Sequence, residues 1–89
     1  MARLFIQTHL KSVCIVGEFC GWDIDKAIRI DRQPGRKMLC VHDMPEGEYR
    51  VLSCKSYTGG EIYPTDGRQM PNRYFGTNDE TITVYFQFQ

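Results

Sequence analysis

Apolar and polar residues alternate with a period of two along most of the chain, which is typical of β-strands with one buried face. The last run, 81–89, shows this most clearly, because Ile82, Val84, Phe86 and Phe88 alternate with polar or tyrosyl positions. One face of this strand is predicted to lie in a core and the other to face solvent. Earlier strand-like runs span residues 3–9, 12–17, 26–31, 37–43, 48–57 and 61–63.

Glycine and proline separate these runs, with clear turn signals at 33–35 and 44–47. The pair Gly59-Gly60 is predicted to end the fifth run, and residues 64–79 are predicted to be irregular. Seven to eight short strands at this spacing predict an all-β fold, an immunoglobulin-like antiparallel β-sandwich. Residues 1–89 are predicted to form one domain, since the length is within the range of a single domain.

The stretch from Val13 to Asp23 is predicted to run from a buried strand into a loop bracketed by Gly17 and Gly21. Trp22 is the only tryptophan, and it falls in this loop rather than in an apolar run. Its ring is expected either to cap the end of the sandwich or to form a contact surface. The rest of the sequence is needed to separate these two hypotheses.

The charge balance excludes several classes of partner. Eleven basic and eleven acidic residues cancel, whereas affinity for nucleic acid depends mainly on phosphate neutralisation. Neither nucleic acid nor a membrane surface is therefore expected as a partner. No apolar run approaches the roughly 18 residues that span a bilayer, and the first residues lack the pattern of a signal peptide. A cytoplasmic location is expected.

The four cysteines, Cys14, Cys20, Cys40 and Cys54, allow three disulfide pairings. None forms a Cys-x-x-Cys pair, and no histidine stands at zinc-ligand spacing beside them. Three of them lie inside apolar runs, so buried thiols are favoured, with a disulfide as the alternative. Cys20, near Trp22, is expected to be the most exposed.

Candidate catalytic residues are few. His9 and His42 fall inside predicted strands, where a structural, hydrogen-bonded role is favoured. Asp23, Asp25 and Asp31 follow the tryptophan loop and would suit paired acid–base chemistry, but a domain of this size has little volume for a cleft. Solvated turn carboxylates are favoured instead. No phosphate-binding loop or nucleophile motif is present, so we expect neither catalysis nor a cofactor or metal.

A different set of side chains suits a sugar, namely Trp22, Arg50, Tyr63 and Asn72. A pyranose ring has an apolar C–H face that packs on flat aromatic rings. Its hydroxyl rim needs donors and acceptors, which a guanidinium and an amide supply.

Four fragments in order, Val-Gly-Glu-Phe-Cys-Gly-Trp-Asp, Lys-Ala-Ile-Arg-Ile, Met-Pro-Glu-Gly-Glu-Tyr-Arg-Val and Pro-Asn-Arg-Tyr, lie between about residues 12 and 75. Together they resemble the starch- and glycogen-binding modules. These include the starch-binding domains of amylolytic enzymes and the glycogen-binding module of the AMP-activated kinase β subunit. The resemblance implies a sandwich of seven to eight strands that binds starch, glycogen or a maltooligosaccharide without cleaving it.

The resemblance also implies roles for single residues. Trp22 matches the family's first stacking tryptophan, and Asn72 matches its hydrogen-bonding asparagine. Arg50 stands where the family has a lysine, which replaces a point donor with a planar fork. Tyr63 falls near the second stacking tryptophan, with Tyr57 or Tyr74 as alternatives.

The alternative hypothesis is a structural or protein–protein interaction module that keeps the sandwich and has lost the glycan site. Met1 stands just before a strand, which favours a whole short protein. Such a protein is expected to assemble as a homo-oligomer through sheet edges or faces, Tyr85 lying on one such surface.

Overall fold

A computed structural model describes residues 2–54 and 56–86, with the backbone alone over residues 56–59. Strands dominate the described chain, which confirms the predicted all-β character. Two short 3-10 helices, Glu18–Cys20 and Ile24–Lys26, lie between the second and third strands. The strands are β1 (Leu4–Gln7), β2 (Ser12–Gly17), β3 (Ile28–Asp31), β4 (Leu39–Val41), β5 (Gly47–Ser53), β6 (Ser56–Gly60), β7 (Arg73–Phe75) and β8 (Glu80–Thr83).

The strands form two sheets. The smaller sheet has the order β4-β1-β8, and the larger has the order β3-β2-β5-β6, with β7 also paired to β5. All pairs between these strands are antiparallel except β1 with β8, which run parallel from Leu4↔Glu80 to Gln7↔Thr83. The prediction of a wholly antiparallel sandwich is therefore wrong for this pair. Parallel neighbours need a long connection, and here strands β2 to β7 supply it.

The core lies between the two sheets, as expected for a sandwich-like arrangement. Alternation along each strand turns every second side chain inward, so Leu4 and Ile6 are fully buried while Phe5 between them is half-buried. The other core residues are Val13, Ile15, Leu39, Val41, Met44, Tyr49, Val51, Phe75, Ile82, Val84 and Phe86. The predicted inward face of the last run is confirmed for its three described members.

A second, smaller apolar cluster lies on the outer face of the larger sheet. Cys14, Val16 and Leu52 form it, with Cys20, Ala27 and Cys54 packed against them. Strand β2 is consequently buried on both faces, which explains why its sequence is a continuous apolar run rather than an alternating one. The bounds of β2 agree with the predicted 12–17.

The predicted break at Gly59-Gly60 is wrong, because both glycines belong to β6. A Cβ atom on Gly60 would lie 3.1 Å from Nη2 of Arg50, so the side-chain-free position lets the guanidinium rest against the backbone. The predicted run 48–57 instead divides between β5 and β6, around residue 54.

Two further predictions need correction. Residues 64–79 are not irregular throughout, since β7 lies within them and Gln69 bridges Ile62. The predicted strand 61–63 is reduced to that single bridge. Paired strand structure in the last run ends at Thr83, and residues 87–89 lie outside the described chain.

Both histidines lie outside the strands in which they were predicted. His9 follows the end of β1 by two residues, and His42 directly follows β4. Each side chain is exposed. The runs predicted at 3–9 and 37–43 were too long because a period-two pattern continues past the last residue that finds a pairing partner.

Candidate functional site

The outer face of the larger sheet carries the polar side chains of the central strand β5. Tyr49 and Val51 point into the core, so Glu48, Arg50 and Leu52 point outward. Leu52 belongs to the outer apolar cluster, which leaves the other two as the polar positions of β5 on this face.

Arg50 is half-buried, and the small residue Gly60 and the polar residue Gln69 lie near its side chain. It pairs with Val16 of β2, and its Nη2 atom lies against Gly60 on β6. The position that a Cβ on Gly60 would occupy is also 3.4 Å from Nε2 of Gln69. The guanidinium and the Gln69 amide therefore approach the same point, although the sequence pattern gave no reason to single out Gln69.

Asn72 directly precedes β7, on the side of the β5–β7 pairing that leads toward Arg50. The last residues paired between β5 and β7 are Tyr49 and Arg73, so Arg50 and Asn72 are the next positions along an antiparallel register. Asn72 is exposed. The continued register therefore directs these two predicted site residues, far apart in sequence, toward one another.

Trp22 lies in a loop that hydrogen bonds fasten to β2 and β5. Gly21 and Trp22 both have left-handed backbone angles, φ 63° and 62°, and a non-glycine residue held there stores strain on the order of 1–2 kcal/mol. The Trp22 N–H donates to the Gly17 carbonyl at 3.0 Å. The Glu48 N–H donates to Oε1 of Glu18 at 2.6 Å. Within this loop, Trp22 is 39% exposed.

We call the surface formed by Glu48, Arg50 and Asn72, together with the loop 18–27, the outer platform. Tyr74 belongs to the same face, since it pairs with Glu48 and alternates with the buried Phe75. With 62% of its surface exposed, Tyr74 is the most exposed large hydrophobic residue of the described chain.

Tyr63 lies on the neighbouring hairpin. Its N–H donates to the Arg68 carbonyl at 2.8 Å, and the Arg68 guanidinium carbon lies 5.1 Å from the centre of its ring. The bridged pair Ile62 and Gln69 comes next along the hairpin, and consecutive pairs point to opposite faces. The Tyr63 ring is thus offset from the side on which Gln69 and Arg50 approach Gly60, and its role in binding stays a prediction. The side chain of Tyr57, one of its alternatives, lies outside the described residues.

A buried ion pair joins this hairpin to β7. Arg73 donates from Nε to Oε1 of Glu61 at 2.9 Å and from Nη2 to Oε2 at 2.8 Å. Glu61 is only 5% exposed. The hydrogen bond to Glu61 raises the pKa of the Arg73 guanidinium, so Arg73 stays charged over the physiological range. The ion pair holds Arg73, the residue that follows Asn72, in place.

Two of the three acidic residues that follow the tryptophan loop accept hydrogen bonds. Asp23 accepts a hydrogen bond from the Asp25 N–H at 3.0 Å and caps the short helix that follows. Asp31 accepts from Nε of Arg29 at 3.3 Å, and both side chains are exposed. The contact of Asp23 agrees with the predicted turn carboxylates, whereas Asp31 lies at the end of β3 rather than in a turn. Among the described residues, no three His, Cys, Asp or Glu side chains converge as a metal site.

Comparison of the chain with protein-family models, with curated proteins and with solved structures gave no match. Within residues 2–54 and 56–86, no helix has the length and apolar character to cross a membrane. Function is therefore inferred from the residues of the outer platform and their chemistry.

Proposed function

We propose that this chain is a non-catalytic carbohydrate-binding domain that binds an α-glucan, such as starch, glycogen or a maltooligosaccharide, on the outer platform. The observation that carries the proposal is the register of β5 with β7, which ends at Tyr49 with Arg73 and, continued by one residue, sets Asn72 opposite Arg50. The exposed Trp22 lies in the loop that Glu18 fastens to Glu48, near the start of β5. The resemblance to starch- and glycogen-binding modules supports the same three residues.

Each side chain has a distinct role in this proposal. Trp22 packs its ring against the C–H face of a glucose unit. The Arg50 guanidinium donates hydrogen bonds to ring hydroxyls, and Asn72 both donates and accepts. Each such contact contributes about 1 kcal/mol net, so we expect a Kd on the order of 0.1–1 mM.

The second stacking ring is the point on which the resemblance and the geometry differ. The resemblance favours Tyr63, whereas the exposure of Tyr74 and its place beside Glu48 favour Tyr74. Separate Tyr63→Ala and Tyr74→Ala variants distinguish them, because only the stacking residue should weaken binding by about 5- to 10-fold. Unchanged binding in both would limit stacking to Trp22.

An immunoglobulin-like arrangement of the sandwich is part of the proposal. Its support is that the chain crosses between the two sheets after β1, β3, β4 and β7, as Greek-key connections require. Such a fold presents loops and outer sheet faces as binding surfaces on a rigid scaffold.

Isothermal titration with β-cyclodextrin and affinity electrophoresis in soluble starch test the proposal. Trp22→Ala should weaken binding by 10-fold or more, because it removes the principal stacking surface. Tyr85→Ala is the matched control, since Tyr85 is 40% exposed, close to the 39% of Trp22, and follows β8 of the other sheet. No retention of the unmodified protein, or equal retention of the Trp22 variant, would contradict the proposal.

A second candidate function is a protein-interaction module that pairs with another copy of the chain. Its support is the exposure of Phe19, Trp22 and Ile24 within one loop, since grouped apolar side chains at a surface mark contact sites. Light scattering should then give a dimer, in which Trp22 is protected from acrylamide quenching. A monomer with a quenchable Trp22 would rule this candidate out.

A further inference from the structure

Two cysteine side chains meet on the outer face of the larger sheet. Cys14 lies in β2 and Cys54 follows the end of β5, and their Sγ atoms are 2.7 Å apart. For comparison, non-bonded carbon atoms are in optimal contact at roughly 3.5–4.0 Å. The other two sulfurs are placed elsewhere: Cys20 donates to the Gly17 carbonyl at 3.5 Å, and Cys40 lies in β4 of the smaller sheet.

The strand register explains why these two thiols meet. Cys14 pairs with Leu52 across β2 and β5, so Cys54, two residues further on, projects from the same face at the diagonal position. Strand β5 ends at Ser53, and its pairing with β6 shifts between Leu52 and Ser53. Both side chains pack with the outer apolar cluster.

We propose that Cys14 and Cys54 form a reversible disulfide, which makes the outer side of β2 and β5 a thiol–disulfide exchange site. All four cysteines are thiols in the structure, which is the reduced state of this site. A bond between these two sulfurs requires little movement, because their side chains already share one face of neighbouring strands.

Small-molecule disulfides, of which oxidised glutathione is the probe, supply the oxidising equivalents. Cys14 is 3% exposed and Cys54 is half-buried, so Cys54 meets the oxidant first. Its thiolate attacks one sulfur of the probe, the probe's S–S bond breaks, and one thiolate leaves. The Cys14 thiolate then attacks the Cys54 sulfur of the mixed disulfide and releases the second thiolate. The two protons lost by the cysteines end on the two released thiols.

Closing this bond should raise the stability of the domain. It links residues 40 positions apart in sequence and ties the end of β5 to β2. Cross-links of this loop size restrict the unfolded chain, and for a domain of this length we expect Tm to rise by about 10–20 °C.

The test equilibrates the full chain in glutathione buffers of graded potential, quenches with acid and alkylates the remaining thiols. In the oxidised buffer we expect a mass about 2 Da lower before alkylation and two alkylated cysteines instead of four. A non-reduced tryptic digest should link peptide 12–26 to peptide 51–55. Peptide 12–26 also contains Cys20, so the same link must persist in Cys20→Ser.

Two results would overturn the proposal. One is full alkylation of all four cysteines in the most oxidising buffer. The other is a link that involves Cys20 or Cys40, or that joins two chains. The main titration uses the unmodified protein, so folding of a variant does not decide it. Cys54→Ser, at the more exposed position, should abolish both the link and the Tm difference, and glucan binding is not needed for either readout.

Discussion

Replacing Glu61 with glutamine tests whether a buried ion pair holds the hairpin of residues 61–70 against β7. Glu61 is almost fully buried and accepts three hydrogen bonds from Arg73, at 2.8, 2.9 and 3.1 Å. The Glu61→Gln change keeps the shape of the side chain and one acceptor oxygen, but it leaves the buried guanidinium without a counter-charge.

The expected loss follows from the burial of both partners. Breaking a fully buried ion pair on one side costs roughly 3–5 kcal/mol. The Arg73 side chain is 23% exposed, so water keeps part of its solvation, and the remaining amide oxygen retains one hydrogen bond. We therefore expect the free energy of unfolding to fall by about 2 kcal/mol, which for a domain of this size lowers Tm by about 10 °C.

Urea unfolding followed by far-UV circular dichroism measures this loss. The matched control is Asp66→Asn in the same hairpin, where Asp66 accepts from Nε of Arg68 at 2.6 Å but the two side chains are 44% and 74% exposed. An exposed pair contributes little, so the control should change stability by less than about 0.5 kcal/mol. A Glu61→Gln loss as small as that of the control would refute the reasoning.

Two further predictions concern close packing and ionisation. Gly17→Ala should destabilise the domain by about 2–3 kcal/mol in urea unfolding, because the new Cβ would lie 2.4 Å from the Glu48 carbonyl oxygen. The control is Gly76→Ala, where no atom lies within 4 Å of the new Cβ, and its stability should change by less than about 0.5 kcal/mol. Equal losses would show that sterics at Gly17 do not decide its identity. Burial raises the pKa of Tyr49. Above about pH 10 the unfolded chain therefore loses the proton of the Tyr49 hydroxyl, while the folded chain keeps it. The free energy of unfolding should then fall by about 1.4 kcal/mol per pH unit. Tyr49→Phe should lack this slope in urea unfolding between about pH 9 and 11, and a stability difference from the unmodified protein that does not vary with pH would contradict the assignment.

Local pattern predicted the parts of the fold that depend on local chemistry. The apolar run 12–17 gave β2 with its observed bounds, and alternation around Ile82 gave the buried face of the last run. Pairing between distant segments has no such local signal. The parallel register of β1 with β8 and the three-residue strand β7 exist because of their partners. The sequence around β7, rich in glycine and proline, favoured an irregular segment.

The candidate site divides in the same way. Motif order singled out Arg50 and Asn72, but only the register between β5 and β7 indicates that the chain brings them toward one another. Gln69 carries no motif, and its approach to Arg50 follows from the bridge to Ile62 and the missing side chain of Gly60. Contacts of this kind depend on backbone approach, which residue spacing does not encode.

The most direct measurement of the central claim is a nitrogen–proton NMR titration of the labelled chain with maltoheptaose at millimolar concentrations. Binding on the outer platform predicts that the Trp22 indole and the backbone amides of Arg50 and Asn72 shift together and saturate with one Kd. The Tyr85 amide should stay in place. An absence of shifts at saturating sugar, or shifts confined to the smaller sheet, would contradict the account.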